Sequence, residues 1–133
     1  MRKYLFLALV LIVQNTFSQD LTCKDFKNGE FLILPNAYDL NTLRVTRQNG
    51  KQIETNESGN DLLVNIKYVD DCNYFLSYDP ETEGFDDVSE MINKAGGLRI
   101  SMTKIVGDTL YYKSVFKNDT INYVRNGRMV KLR

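Results

Sequence analysis

Apolar and polar residues alternate along much of this chain with the period of two expected of a half-buried β-strand. Leu98, Ile100 and Met102 alternate with Arg99, Ser101 and Thr103, and Val130 and Leu132 with Met129 and Lys131. Runs of strand composition fall at 29–34, 41–48, 51–56, 62–69, 73–78, 98–106, 109–116, 120–125 and 128–132. Turn signals separate them. Asn49-Gly50 and Asn126-Gly127 are the strongest, because a two-residue hairpin turn needs φ > 0 at both central positions, which Asn and Gly tolerate. Gly107-Asp108 and Asn118-Asp119 mark two further tight turns, and Ser58-Gly59-Asn60-Asp61 and Asp70-Asp71 two more. Strands joined this way are antiparallel. The pattern predicts nine short strands in sequence order.

One segment has a different period. Phe85, Val88, Ile92 and Ala95 fall at i, i+3, i+7 and i+10, with Met91 beside them, which lines one face of a helix. Asp86 and Asp87 suit its first turn, Lys94 its last, and Gly96-Gly97 stops it. This predicts one short helix at about 85–95, between the fifth and sixth strands. A long meander tends to curl and close, because closure removes exposed edges. The expected fold class is all-β with one short helix: an antiparallel up-and-down meander forming a small barrel or strongly curved sheet.

The N-terminus changes the picture of where this fold exists. Arg2 and Lys3 precede the uncharged run Tyr4 to Val13, and small residues stand at Thr16 and Ser18. That is the pattern of an export signal over 1–18, cut before Gln19, leaving a single domain over 19–133. The apolar run is shorter than the about 20 residues a membrane-spanning helix needs. Asp20-Leu21-Thr22 before Cys23 lacks the apolar character of a lipid-anchor site. The expected product is periplasmic or secreted, with no membrane span after cleavage. In an oxidising space the two cysteines, Cys23 and Cys72, most simply pair as a disulfide.

Composition then removes whole classes of chemistry. The chain has no histidine, so it holds no Ser-His-Asp triad, no Cys-His pair and no histidine-ligated zinc. Acid pairs such as Asp70-Asp71 and Asp86-Asp87 show no spacing that singles out a glycosidase, and no catalytic residue is assigned. The 17 basic and 17 acidic residues balance, which argues against a nucleic-acid partner. They are unevenly placed: 6 basic against 15 acidic over 19–90, and 9 against 2 over 91–133. The later set is Lys94, Arg99, Lys104, Lys113, Lys117, Arg125, Arg128, Lys131 and Arg133. Either the two halves neutralise each other across one sheet, with Lys and Arg protecting its edges, or the basic set forms a patch for an anionic envelope component.

Two further features bear on ligands. From Asp79 to Glu90, acids occupy positions 1, 3, 5, 9 and 12 of a twelve-residue stretch with Gly84 at position 6. That is the spacing of an EF-hand calcium loop, with Asp79, Glu81, Glu83, Asp87 and Glu90 as candidate ligands. Glu at positions 3 and 5, Asp86 at position 8 and a strand before the loop depart from that pattern. The other reading is a solvated acidic loop whose carboxylates favour a helix N-terminus. Tyr68, Tyr74, Tyr78, Tyr111, Tyr112 and Tyr123 would line an amphipathic cavity in a hollow barrel, or pack as half-buried strand residues.

Cys23-Lys24-Asp25-Phe26-Lys27-Asn28-Gly29-Glu30-Phe31, after an export signal, resembles the start of a family of small exported bacterial proteins. Asp71-Cys72-Asn73-Tyr74-Phe75-Leu76 is similar to that family's Asp-Cys-x-Tyr-x-Leu strand, and Gly107-Asp108-Thr109 to its Gly-Asp-Thr turn. The resemblance implies no function. A DNA topoisomerase IV label carried by some members gains no support from so short and neutral a chain. An acidic segment replaces the family's Lys-rich stretch after the Cys-x-Tyr strand. Gly29-Glu30-Phe31 also resembles the Gly-x-aromatic opening of lipocalin-like barrels. The expectation is a non-catalytic exported protein, either a ligand-binding barrel for a small amphipathic molecule or an interaction module of the cell envelope. The alternative is a calcium-binding or carbohydrate-active protein using the loop 79–90.

Overall fold

A computed structural model describes residues 20–132, so the expected export signal lies outside the described residues. A 3-10 helix (Cys23–Phe26) leads into β1 (Gly29–Ile33), β2 (Leu43–Gln48), β3 (Lys51–Thr55), β4 (Asp61–Tyr68) and β5 (Asn73–Tyr78). Then follow α1 (Asp87–Lys94), β6 (Leu98–Val106), β7 (Thr109–Lys117) and β8 (Asn122–Lys131). Each strand pairs antiparallel with the next, and β8 returns to β1 through Phe31↔Lys131, Leu32↔Val130 and Ile33↔Met129. The meander closes into an eight-stranded barrel.

The turn chemistry accounts for most of this order. Asn49 and Gly50 take φ of 52° and 74°, which lets two residues reverse the chain between β2 and β3. Gly107-Asp108 turns β6 into β7. Asn118 starts a wider loop, its side chain accepting the N–H groups of Thr120 and Ile121. The second Asn-Gly pair behaves otherwise: Asn126-Gly127 lies inside a continuous β8, so there are eight strands and not nine. Gly127 pairs with Tyr112 of β7, and a Cβ on it would overlap the Tyr112 ring. That glycine lets an aromatic ring cross the backbone inside the barrel, and unbroken pairing with β7 overrides the turn propensity.

Alternation points one residue in two inward, and Phe31, Val45, Val64, Tyr74, Leu76, Ile100, Leu110 and Met129 make the core. In β6 the register shifts between Met102 and Lys104, so Thr103 is the extra residue of a bulge and Ile105 packs on the core beyond it. One end of the barrel is shut by the 3-10 helix. Its Phe26 is fully buried and stacks on Phe31 at 5.6 Å, a burial that contributes roughly 1.5–3 kcal/mol. Lys131 stands over the Phe31 ring and donates to the carbonyls of Asp25 (2.8 Å) and Asn28 (3.2 Å). The Cys23–Cys72 disulfide ties the same helix to the β4–β5 turn. The other end is the mouth, where α1 lies beside β5. Asn93 fixes it there by pairing with both the N–H (2.8 Å) and the carbonyl (2.7 Å) of Tyr78.

The up-and-down order also decides the charge pattern. The late strands are neighbours, so their cations are not interleaved with the acidic half of the chain. On the outer face of β6–β8, Arg99, Lys104, Lys113, Lys117 and Arg128 are exposed, and no outward position there is an acid. A closed barrel leaves no edge strands for these cations to protect.

Candidate functional site

The inner wall carries polar side chains at the same inward phase as its apolar ones. The β2–β3 register pairs Arg47 with Gln52 and Val45 with Glu54, which sets all four on the barrel interior. Arg47 is 3% exposed. Its three guanidinium nitrogens each donate to an uncharged acceptor: the Phe26 carbonyl (2.9 Å), the Tyr74 hydroxyl (2.7 Å) and the Gln52 side-chain oxygen (2.7 Å). The Gln52 amide then donates to Glu54 at 2.7 Å. This row runs from the floor of the barrel toward the mouth. Arg47 thereby fastens the 3-10 helix to the strands above it.

Between that row and the facing strands lies a cavity of about 290 Å3. Its apolar wall includes Leu43, Leu76, Leu98, Ile100 and Met129, and its polar wall Arg47, Glu54, Tyr74, Tyr78, Tyr112 and Arg125. The volume stands at the small end of the roughly 300–1,000 Å3 typical of ligand pockets. The part of Glu54 that protein atoms leave uncovered faces this cavity, and loss of hydration pushes its carboxyl up to about 7. The Gln52 hydrogen bond and the Arg47 charge oppose that rise. Burial likewise pushes the Tyr112 hydroxyl up to about 12 and raises that of Tyr78. For these three groups burial favours the neutral form.

A second space of about 380 Å3 lies at the mouth between α1 and the ends of β6–β8. Val88 and Met91 of α1 face Ile121 and Tyr123 across it. Leu98, Ser114 and Arg125 line both spaces. A wider depression of about 650 Å3 lies over the disulfide and β6 at the shut end, open to solvent and apart from the interior row.

The comparisons with known proteins were negative. No family model matches the chain, and neither a curated protein nor a solved structure matches it.

The sequence-predicted site residues fare unequally. Cys23 and Cys72 are bonded. Tyr74, Tyr78 and Tyr112 line the cavity, whereas Tyr111 points outward beneath Lys104, 4.6 Å from its ring centre. The acids of 79–90 are not gathered. Asp79 accepts the N–H of Glu81, and Glu90 pairs with Lys94 at 3.0 Å. Asp86 caps α1 by accepting from the N–H (2.8 Å) and hydroxyl (2.9 Å) of Ser89, bonds that hold its carboxyl below the usual range. Asp87 follows in the first helical turn. Among the described residues no three His, Cys, Asp or Glu side chains come close enough to hold a metal ion. Asp79 and Asp86 thus meet backbone N–H groups and Glu90 an ammonium, and the segment ends in a helix cap. Arg47, Gln52 and Glu54 escaped the sequence reading, whereas Arg125 was expected only as a member of the late basic set and lines the cavity instead. The signal for the first three was present: once Asn49-Gly50 sets the hairpin, an inward Val45 puts Arg47, Gln52 and Glu54 inward too.

Proposed function

We propose that this protein is an exported, non-catalytic barrel that holds one small amphipathic molecule. The cavity carries the reading: it is shut at one end by the 3-10 helix, opens at the end bearing α1, and joins an apolar wall to fixed polar groups. The basic, apolar and small-residue order of 1–18 supports export, and the disulfide is compatible with an oxidising compartment. Among the described residues no helix is long and apolar enough to cross a membrane. The absence of histidine and the use of Arg47 and Gln52 in fixing the barrel floor favour binding over catalysis. The test is titration with a small apolar fluorophore whose emission rises on leaving water. The reading requires saturable binding of one probe per chain, reversed by a lipid extract of the producing cells. Emission that never saturates, or that lipid extract leaves unchanged, would refute it.

A second reading, an interaction module for an anionic envelope component, is favoured by the outer face of β6–β8. Five exposed cations with no acid among them would give retention on an anionic matrix that falls steeply with salt.

A further inference from the structure

This inference rests on the ligand-binding reading and names the class of ligand. Arg125 of β8 stands where the cavity meets the groove beneath α1, and it lines both. Its guanidinium carbon lies 4.3 Å from the ring centre of Tyr123 and 4.8 Å from that of Tyr38. Contacts with ring faces hold a cation in place without engaging its N–H groups. Nε of Arg125 is covered, yet among the described residues it has no hydrogen-bond partner. Nor is any carboxylate among them within ion-pair distance of this guanidinium. Arg47 is the contrast within the same cavity. All three of its nitrogens already donate to protein acceptors, so it has a complete structural role.

We propose that Arg125 receives the anionic end, a carboxylate or a phosphate monoester, of an amphipathic ligand whose apolar body occupies the cavity. A planar guanidinium offers parallel N–H groups that match two oxygens of either anion. The apolar wall of Leu76, Leu98 and Ile100 continues inward from that point. Asp39 lines the same cavity, with one oxygen engaged by the N–H of Asn41. The acids of the mouth loops are solvated, and at physiological salt their field decays over about 8 Å. Contact with Arg125 at the cavity wall therefore outweighs them.

Calorimetry on the full exported protein tests this with four ligands sharing one alkyl body: octanoate, octyl phosphate, octanol and octylammonium. The expected result is that one of the two anions binds about tenfold or more tightly than octanol. Whichever anion is preferred identifies the head group. Arg125→Gln should abolish the preference, so that octanol and both anions bind alike. Arg125→Lys, which keeps the charge but not the fork, should retain part of it and guards against a folding defect in the first variant. Equal affinity for octanol and both anions, preference for octylammonium, or an anion preference that survives Arg125→Gln would overturn the assignment. Octanol binding without anion preference removes this inference and leaves the cavity reading standing. Failure of all four ligands to bind removes both.

Discussion

Replacing Glu54 with Gln should remove most of the dependence of stability on pH between about pH 5 and pH 8. The Glu54 carboxyl lies on the cavity wall and is moved from its ordinary 4.5 up to about 7, chiefly because burial strips its hydration. A carboxyl with a higher pKa in the folded than in the unfolded chain binds its proton more tightly when folded. Its stabilising contribution is complete below about pH 4.5 and is lost as pH rises through about 7. The full change corresponds to about 3 kcal/mol, a large fraction of the roughly 5–15 kcal/mol that holds a domain of this kind together. The carboxyls of Asp70, Asp71 and Asp86 are held below the usual range by hydrogen bonds, so they titrate at lower pH and leave this window to Glu54. The assay is equilibrium urea unfolding, followed by circular dichroism across the window, for both proteins. Wild type should lose stability as pH rises. Glu54→Gln, which cannot ionise, should give a nearly flat profile and be the more stable protein at pH 8. Parallel profiles for the two proteins, or a variant less stable than wild type at pH 8, would refute the assignment of this titration to a desolvated Glu54.

Two other perturbations probe the barrel itself. Replacing Cys23 and Cys72 together by Ser opens a link between residues 49 apart and should cost about 4 kcal/mol in urea unfolding, since the unfolded chain regains that loop's freedom. A loss below about 1 kcal/mol would show that the 3-10 helix is held mainly by its other ties. Gly127→Ala places a methyl group where the Tyr112 ring crosses β8, and should cost about 1–3 kcal/mol by forcing the ring aside. Combining it with Tyr112→Leu should cost less than the two changes separately, and strict additivity would show that the ring is not the obstacle.

Much of the architecture was legible because it depends on local chemistry. Period-two alternation, Asn49-Gly50 and Gly107-Asp108 are short-range signals, and they placed seven of the eight strands and the helix at their observed positions. The exception shows why local signals fail. Asn126-Gly127 has the composition of a hairpin turn, but nine consecutive pairs between β7 and β8 keep it extended. The glycine there serves an inward tyrosine from another strand. The 3-10 helix also carried a local signal, Thr22 three residues before Asp25, whose side chain accepts the Thr22 N–H at 2.7 Å. So short a helix forms only because Phe26 has a barrel floor to fill.

The sequence alone determined that this chain makes antiparallel hairpins in order, with a helix after the fifth strand, and that its two cysteines pair. Those features follow from residues near each other in the chain, or from there being a single possible partner. Only the tertiary structure decided that the sheet closes, that the interior keeps a cavity, and that the late cations gather on one outer face. It alone set Arg47, Gln52 and Glu54 in one buried row and left Arg125 unpaired at the mouth. These depend on the distance between β1 and β8 and on which side chains meet across the lumen. Such meetings join residues far apart in the chain, and no local pattern records whether a polar side chain turned inward will find a partner there.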